Sequence, residues 1–313
     1  MNHKSRLRED KVIYTVTFNP AIDYVMHPKT FVVGRTNRST HEDFSFGGKG
    51  LDVSAVLSNL NVPNICMGFI AGFSGRFIED TLHEAGMVTD LIWLDEGATR
   101  INIKIDETRI NGAGPHISHE KYGVLMDKLE RLIEGDTLVL NGSVPSSLPQ
   151  DTYASIMEQF DGRGIRYVVD AVGDLLVRSL KCKPFLIKPN NHEVGDIFEV
   201  TIDTPEECLP YAHKLHDMGA QNVIVSCGGL GSCLVDSDGK EHIVRAVKGE
   251  VVNTTGAGDA VLAGFLAAVD WGKSYEEALR YASACGSATA FSQGMATREK
   301  IEEVCKMMDE QGL

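Results

Sequence analysis

The sequence predicts an α/β fold: a mostly parallel sheet flanked by helices, with a small β-sheet standing off it as a lid. Three observations lead there. Short, continuous apolar runs recur along the 313 residues, and segments with helical spacing separate them. Two stretches, 24–46 and 98–112, break that rhythm. Continuous apolar strands belong to sheets covered on both faces, and strands alternating with helices build parallel sheets.

The runs, in order, are VIYTVTF (12–18), NICMGFI (64–70), TLVLNG (137–142), RYVVDA (166–171), FLIKPN (185–190) and NVIVSC (222–227). Helices are predicted between them, among others at LDVSAVLSNL (51–60), KYGVLMDKLERLI (121–133) and CLPYAHKLHDM (208–218). Within 98–112, Ile101, Ile103 and Ile105 alternate with Asn102 and Lys104. A period of two marks a strand with one exposed or lid-like face. The body is therefore expected at 11–23, 47–97 and 113–313, and the lid at 24–46 and 98–112. Residues 1–10, MNHKSRLRED, read as a poorly ordered polar extension. A small sheet cannot hide an apolar face by itself, so a homodimer through the lid is expected.

Composition narrows the function classes. The formal net charge of −14 argues against partners such as nucleic acid or an anionic membrane surface. No apolar run is long enough to span a bilayer, and the first ten residues lack the apolar stretch of a secretory signal. Seven cysteines without a CxxC pair fit reduced thiols in a cytoplasm better than a disulfide framework or a zinc site.

The chemistry concentrates in a few stretches. In VVNTTGAGDAVLAGFLAAV (251–269), Val261, Leu262, Phe265, Leu266 and Val269 recur at helical spacing. Gly256, Ala257 and Gly258 precede that run, so backbone amides can converge at a helix start, which suits an anion. Asp259 either complements the helix dipole or acts as a base beside the anion. FSFGGKGLDVSAVLSNL (44–60) sets Gly47, Gly48 and Lys49 before a helix. That is either a tight strand-to-helix turn or a close approach of backbone to a polar ligand. It matches no G-x-G-x-x-G pattern, and the chain holds no Walker A motif. In KPNNHEV (188–194), Lys188 suits a phosphate, while Asn190 and Glu193 suit a helix cap, hydrated Mg²⁺, or both at once. VSCGGLGS (225–232) is a glycine-rich turn after a strand, and ligands in open parallel sheets sit at the carboxyl ends of strands. Arg100, with Arg35 and Arg38, would form a phosphate clamp on the lid.

Together these pieces resemble a known family. FNPAID (18–23), GGKG (47–50), KPN..E (188–193) and NTTGAGDAVLAGF (253–265) stand in the order of the ribokinase-like (PfkB) carbohydrate kinases, and the resemblance runs from about residue 12 to the end. TRINIKI followed by INGAGP, and GSVPSSLP, are similar to members acting on ketohexose phosphates. The resemblance implies ATP-dependent phosphorylation with Mg²⁺, most simply of fructose 1-phosphate to fructose 1,6-bisphosphate. Tagatose 6-phosphate is the alternative substrate. A non-catalytic sugar-phosphate sensor is the alternative from another class, though a sensor needs no base.

By the same resemblance, Asp259 is the catalytic base, and Gly256, Ala257 and Gly258 form the amide nest around the transferring phosphoryl group. Asp23, Gly47, Gly48 and Lys49 hold sugar hydroxyls; Arg100, with Ser143 nearby, holds the substrate's phosphate. Lys188, Asn190, Ser226, Gly228, Gly229, Gly231 and Ser287 match the nucleotide side. Glu193, and less strongly Asp170, orient Mg²⁺. One position departs: Asp52 stands where the family writes an asparagine that meets the sugar, and an ionised aspartate cannot donate a hydrogen bond.

Overall fold

The computed structural model describes residues 11–105 and 108–313; the expected extension at 1–10 lies outside them. Along these residues the strands are β1 (Ile13–Thr17), β2 (Ala21–Pro28), β3 (Ser39–Gly47), β4 (Asn64–Ile70), β5 (Ile92–Trp93), β6 (Arg100–Ile105), β7 (Thr108–Ile110), β8 (Thr137–Asn141), β9 (Arg166–Asp170), β10 (Leu186–Ile187), β11 (Val223–Ser226), β12 (Ser232–Val235) and β13 (Glu241–Val244). The helices are α1 (Lys49–Asn59), α2 (Gly72–Glu84), α3 (His119–Leu129), α4 (Thr152–Gln159), α5 (Gly173–Ser179), α6 (Asn191–Phe198), α7 (Pro205–Asp217), α8 (Ala257–Asp270), α9 (Tyr275–Ala290) and α10 (Arg298–Gln311).

Among the described residues, nine strands make one sheet in the order β13-β12-β11-β10-β9-β8-β1-β4-β5. β1 sits inside it, parallel to β4 on one side and to β8 on the other. Every apolar run of the sequence became a strand here. The run at 185–190 yields only two residues, because Pro184 and Pro189 bracket it and proline cannot donate to a ladder. The antiparallel pair β12 and β13 was not expected; it follows the glycine-rich turn after β11 and closes one edge.

The strands feed two cores by simple alternation. Leu138 and Leu140, Tyr167 and Val169, and Val223 and Val225 face a core completed by α3–α7. Val139, Val168 and Ile224 face the opposite one, completed by α1, α8, α9 and α10. α8 lies between sheet and helices, so Ala260 through Ala268 are all buried and the helix is apolar all round. No helix among the described residues is long and apolar enough to cross a membrane.

The second sheet has the order β3-β2-β6-β7. Its strands begin closer to the body than expected: Asp23 pairs with Asn102 and Ser45 inside this sheet. One face carries a row of Phe44, Tyr24, Ile103 and Ile110. Tyr24 and Phe44 stack with ring centroids 4.4 Å apart, and Phe44 reaches Phe77 of α2. Phe44 and Ile110 remain more than half exposed. The other face carries Asp23, Arg100, Asn102 and Lys104, and these sit partly or fully buried. The isoleucine face thus looks outward and the polar face inward.

Candidate active site

α8 starts at Gly256, whose φ of 76° suits glycine and strains other residues. A Cβ there would also lie 2.1 Å from Cε of Met295. No side chain caps this helix; the Ala257 amide donates to Thr254 O at 3.3 Å, and the amides of Gly258 and Asp259 stay available to a ligand. A cleft of about 320 Å³ opens at this point. It is lined by Gly256 and Asp259 of α8, by Gly48, Lys49 and Asp52 where α1 begins, by Arg100 of β6, and by Asn141 and Ser143 at the end of β8. Four separate parts of the chain thereby meet at the carboxyl ends of the central strands.

The charges in the cleft are ordered. Lys49 Nζ lies 2.8 Å from Asp170 Oδ1 and 3.8 Å from Glu193 Oε1. Lys188 Nζ lies 3.5 Å from Asp170 Oδ2. Burial alone would raise the Asp170 carboxyl, but Lys188 and Lys49 hold it below its ordinary value. Lys188 is buried, and its Nζ would lie 3.4 Å from a Cβ on Gly258. A positive charge therefore sits beneath the amide nest. Asp259 behaves oppositely to Asp170. Desolvation, reinforced by Asp170, pushes it up to about 7 against the pull of Lys188 and Lys49. That value lies near neutrality, where a general base is most effective.

The lid supplies the other wall. Asp23 Oδ1 accepts from Asn102 Nδ2 at 2.8 Å, and Oδ2 faces Lys104 Nζ at 2.7 Å. Lys104 also approaches Thr255 Oγ1 at 3.5 Å, tying lid to body. Arg100 Nε donates to the carbonyl of Asn19 at 3.0 Å, and one terminal nitrogen donates to Gly112 O at 3.4 Å. Its remaining donors have no partner among the described residues and face a cleft.

The other expected residues divide. Asn190 and Glu193 form a capping box on α6, so the helix-cap reading holds for both. Ser226 adjoins Asn190 through a parallel bridge. Gly228 and Gly229 are exposed in the turn after β11, and Ser287 lies half-buried on α9. Gly231, at φ 108°, is required by the turn itself, since a Cβ would meet Val244 O at 2.1 Å. None of these five lines the Asp259 cleft. Nor do Arg35 and Arg38, which are exposed on the loop between β2 and β3, so within one chain they do not join Arg100 in a clamp.

Asp170 is fully buried; its Oδ1 accepts from Lys49, while its Oδ2, 3.5 Å from Lys188 Nζ, has no hydrogen-bond partner among the described residues. Among the described residues no group of three or more His, Cys, Asp or Glu is arranged to hold a metal. A hydrated Mg²⁺ carried by phosphates would need only one carboxylate nearby, and Glu193, 3.8 Å from Lys49, would supply it.

Four residues of this region were not singled out by sequence for the roles their geometry suggests. Asn141 ends β8 in the cleft with both side-chain polar atoms buried and unpartnered. Thr17 and Asn19, at the end of β1, line it as well. Lys104 was read only as the polar face of a strand. The available signal was position: each of the first three closes a central strand at its carboxyl end.

Comparison with known proteins agrees with this geometry. The model of the pfkB family carbohydrate kinases matches residues 16–301. A 1-phosphofructokinase of Bacillus subtilis (strain 168) is 43% identical over 296 residues, covering 94% of this chain and 97% of that protein. A D-tagatose-1-phosphate kinase of Bacillus licheniformis is 37% identical over 301 residues, covering 95% and 98%. Phosphofructokinase-2 from Escherichia coli shares the fold at a TM-score of 0.86 with 21% identity, over 96% of this chain and all of that one. An uncapped glycine helix start with a carboxyl poised near neutrality, on this fold and with these relatives, places the chain in the pfkB family of carbohydrate kinases.

Proposed function

We propose that this kinase transfers the terminal phosphoryl group of ATP to fructose 1-phosphate, giving fructose 1,6-bisphosphate. The observation that carries the reading is one cleft lined both by Asp259, beside the open start of α8, and by Arg100 with unpartnered donors. The first pair serves an incoming phosphoryl group; the second serves a phosphate already on the substrate. Phosphoryl transfer asks for position and charge stabilisation. Asp259 takes the proton of the attacking hydroxyl while the amides of Gly258 and Asp259, with Lys188 beneath, meet the charge on the transferring group. Mg²⁺, when bound with ATP, neutralises phosphate charge. Asn190, Ser226 and the turn at Gly228–Gly231 flank the nucleotide, with Ser287 on α9. Asp23, Gly47, Gly48 and Asn141 face the sugar. The named relatives support the ketohexose 1-phosphate.

The test is a panel of sugar phosphates with ATP and Mg²⁺. Fructose 1-phosphate should give the highest kcat/KM and a product phosphorylated at carbons 1 and 6. Higher kcat/KM with tagatose 6-phosphate, or with fructose 6-phosphate, would overturn the assignment. Tagatose 1-phosphate is the second reading, favoured by the Bacillus licheniformis relative. Free thiols throughout the described residues fit a cytoplasmic enzyme.

The lid is the proposed dimer interface. Its outward row of Phe44, Tyr24, Ile103 and Ile110 would bury apolar area worth about 25 cal/mol per Å², before association costs. Light scattering should find a dimer, and Phe44→Lys should shift it to monomer. A monomeric wild type would reject this interface.

A further inference from the structure

Asp52 is where the chain departs from its family pattern, and its surroundings give the departure a use. It lies in the first turn of α1 and is 5% exposed. Asp52 and Asp259 line the same cleft, Asp52 Cγ lies 3.8 Å from where a Cβ on Gly256 would stand, and the two carboxyls are within hydrogen-bonding reach of each other. Two ionised carboxylates have only acceptors, so a bond between them needs a proton. The neighbourhood holds five carboxyl groups, Asp23, Asp52, Asp170, Glu193 and Asp259, against three lysines and Arg100, whose guanidinium is held by the carbonyls of Asn19 and Gly112. Lys49 and Lys188 are engaged by Asp170 and Glu193, and Lys104 by Asp23. That leaves Asp52 and Asp259 chiefly to each other.

We propose that Asp52 is a neutral carboxylic acid that donates its proton in a hydrogen bond to the Asp259 carboxylate, positioning the base and limiting turnover at alkaline pH. The proton stays on Asp52 because Lys188 and Lys49 both favour the ionised form of Asp259. Asp52 has only Lys104 in its favour, with Asp23 and Asp259 pressing against it. Burial, then these two acids, holds Asp52 well above the usual carboxylate range. The dipole of α1 favours the anion, but only modestly. While Asp52 keeps its proton, one Asp259 oxygen is held in place and the other is free for the sugar hydroxyl. When that proton is lost, two adjacent anions repel each other and the incoming phosphates. An asparagine would donate an N–H at every pH.

The inference rests on Asp259 being the base, and the experiment separates the two claims. The kcat/KM of wild type and Asp52→Asn is followed into alkaline pH with fructose 1-phosphate and ATP. The wild-type rate should fall on the alkaline side, and the limb of Asp52→Asn should lie at least about one pH unit higher. Infrared spectra of the substrate-free wild type at a pH well above 7, where Asp259 is ionised, should show a carboxylic-acid carbonyl band, sensitive to H₂O/D₂O exchange, that vanishes on further alkaline titration and is missing in Asp52→Asn. The infrared titration of wild type needs no variant to fold. Superimposable pH profiles, or no such band in wild type, would overturn the inference while leaving the kinase reading intact. Full turnover in Asp259→Asn would instead remove the base on which it rests.

Discussion

Asp259 and Glu277 occupy the same place in consecutive helices, the third residue of α8 and of α9. In α9 the residue before the helix is Ser274. Its hydroxyl accepts from Glu277 N at 3.3 Å, and Glu277 Oε2 accepts from Ser274 N at 3.0 Å. Those bonds to Ser274, backbone first, hold Glu277 below its ordinary value. In α8 the residue before the helix is Gly256, which offers no side chain. Asp259 therefore closes on no cap residue, meets the Asp52 carboxyl of α1 instead, lines the cleft and is pushed up to about 7. An acid in a first helical turn is structural when a cap closes over it. It is free for chemistry when the cap is glycine and the solvent is thin. Glu193 lies between these cases: it completes the α6 cap and still stands 3.8 Å from Lys49.

The sharpest way to break this contrast is to neutralise each side. Asp259→Asn keeps the shape and the amide nest, so ATP binding should persist while kcat falls on the order of 10²–10⁴-fold. A twofold effect in steady-state kinetics would end the base assignment. Arg100→Ala removes charge-assisted bonds to the substrate phosphate. It should weaken sugar-phosphate binding by about 1.5–3 kcal/mol, roughly 10- to 100-fold in KM, and leave the KM for ATP in place. A rise confined to ATP would reverse the two ends of the cleft.

The smallest effect belongs to α9. Ser274→Ala should lower stability by about 1 kcal/mol in denaturant unfolding and leave kcat alone. Glu277→Gln should lower the neutral-pH Tm slightly. Because the folded pKa of Glu277 is depressed, its stabilisation is present above the unfolded carboxylate pKa and fades as pH falls through the folded one. The Tm difference should therefore shrink in acid. A fall in kcat in either variant would show that α9 shapes the cleft directly.

The fold was legible where apolar pattern decides it. The run 64–70 became β4 residue for residue, and 137–142 differs from β8 by one. It was less legible where neighbours decide it. β5 has two residues held by β4, and β12 reads locally as the tail of a glycine turn. In the site, the glycines and Asp259 announce themselves by spacing. Lys104 does not, because its role comes from register: pairing of β6 with β2 brings it to the face of Asp23. Asp170 was legible as an acid at a strand end, but not the two lysines, Lys49 and Lys188, that the fold brings against it. Arg35 and Arg38 share residue type and lid segment with Arg100, but they are exposed on the loop between β2 and β3 and do not line its cleft.

The contrast between the two acids reduces to one measurement: the pH dependence of kcat/KM for fructose 1-phosphate on the acid side, which reports the free enzyme's base. A base raised to about 7 predicts a limb there, with kcat/KM falling about tenfold per unit below it. The limb should stand apart from the substrate's own second phosphate ionisation, at roughly pH 6. A rate that stays level until an ordinary carboxylate titrates, about pH 4, would mean that Asp259 is as ordinary as Glu277 and that the open start of α8 has not made it a base.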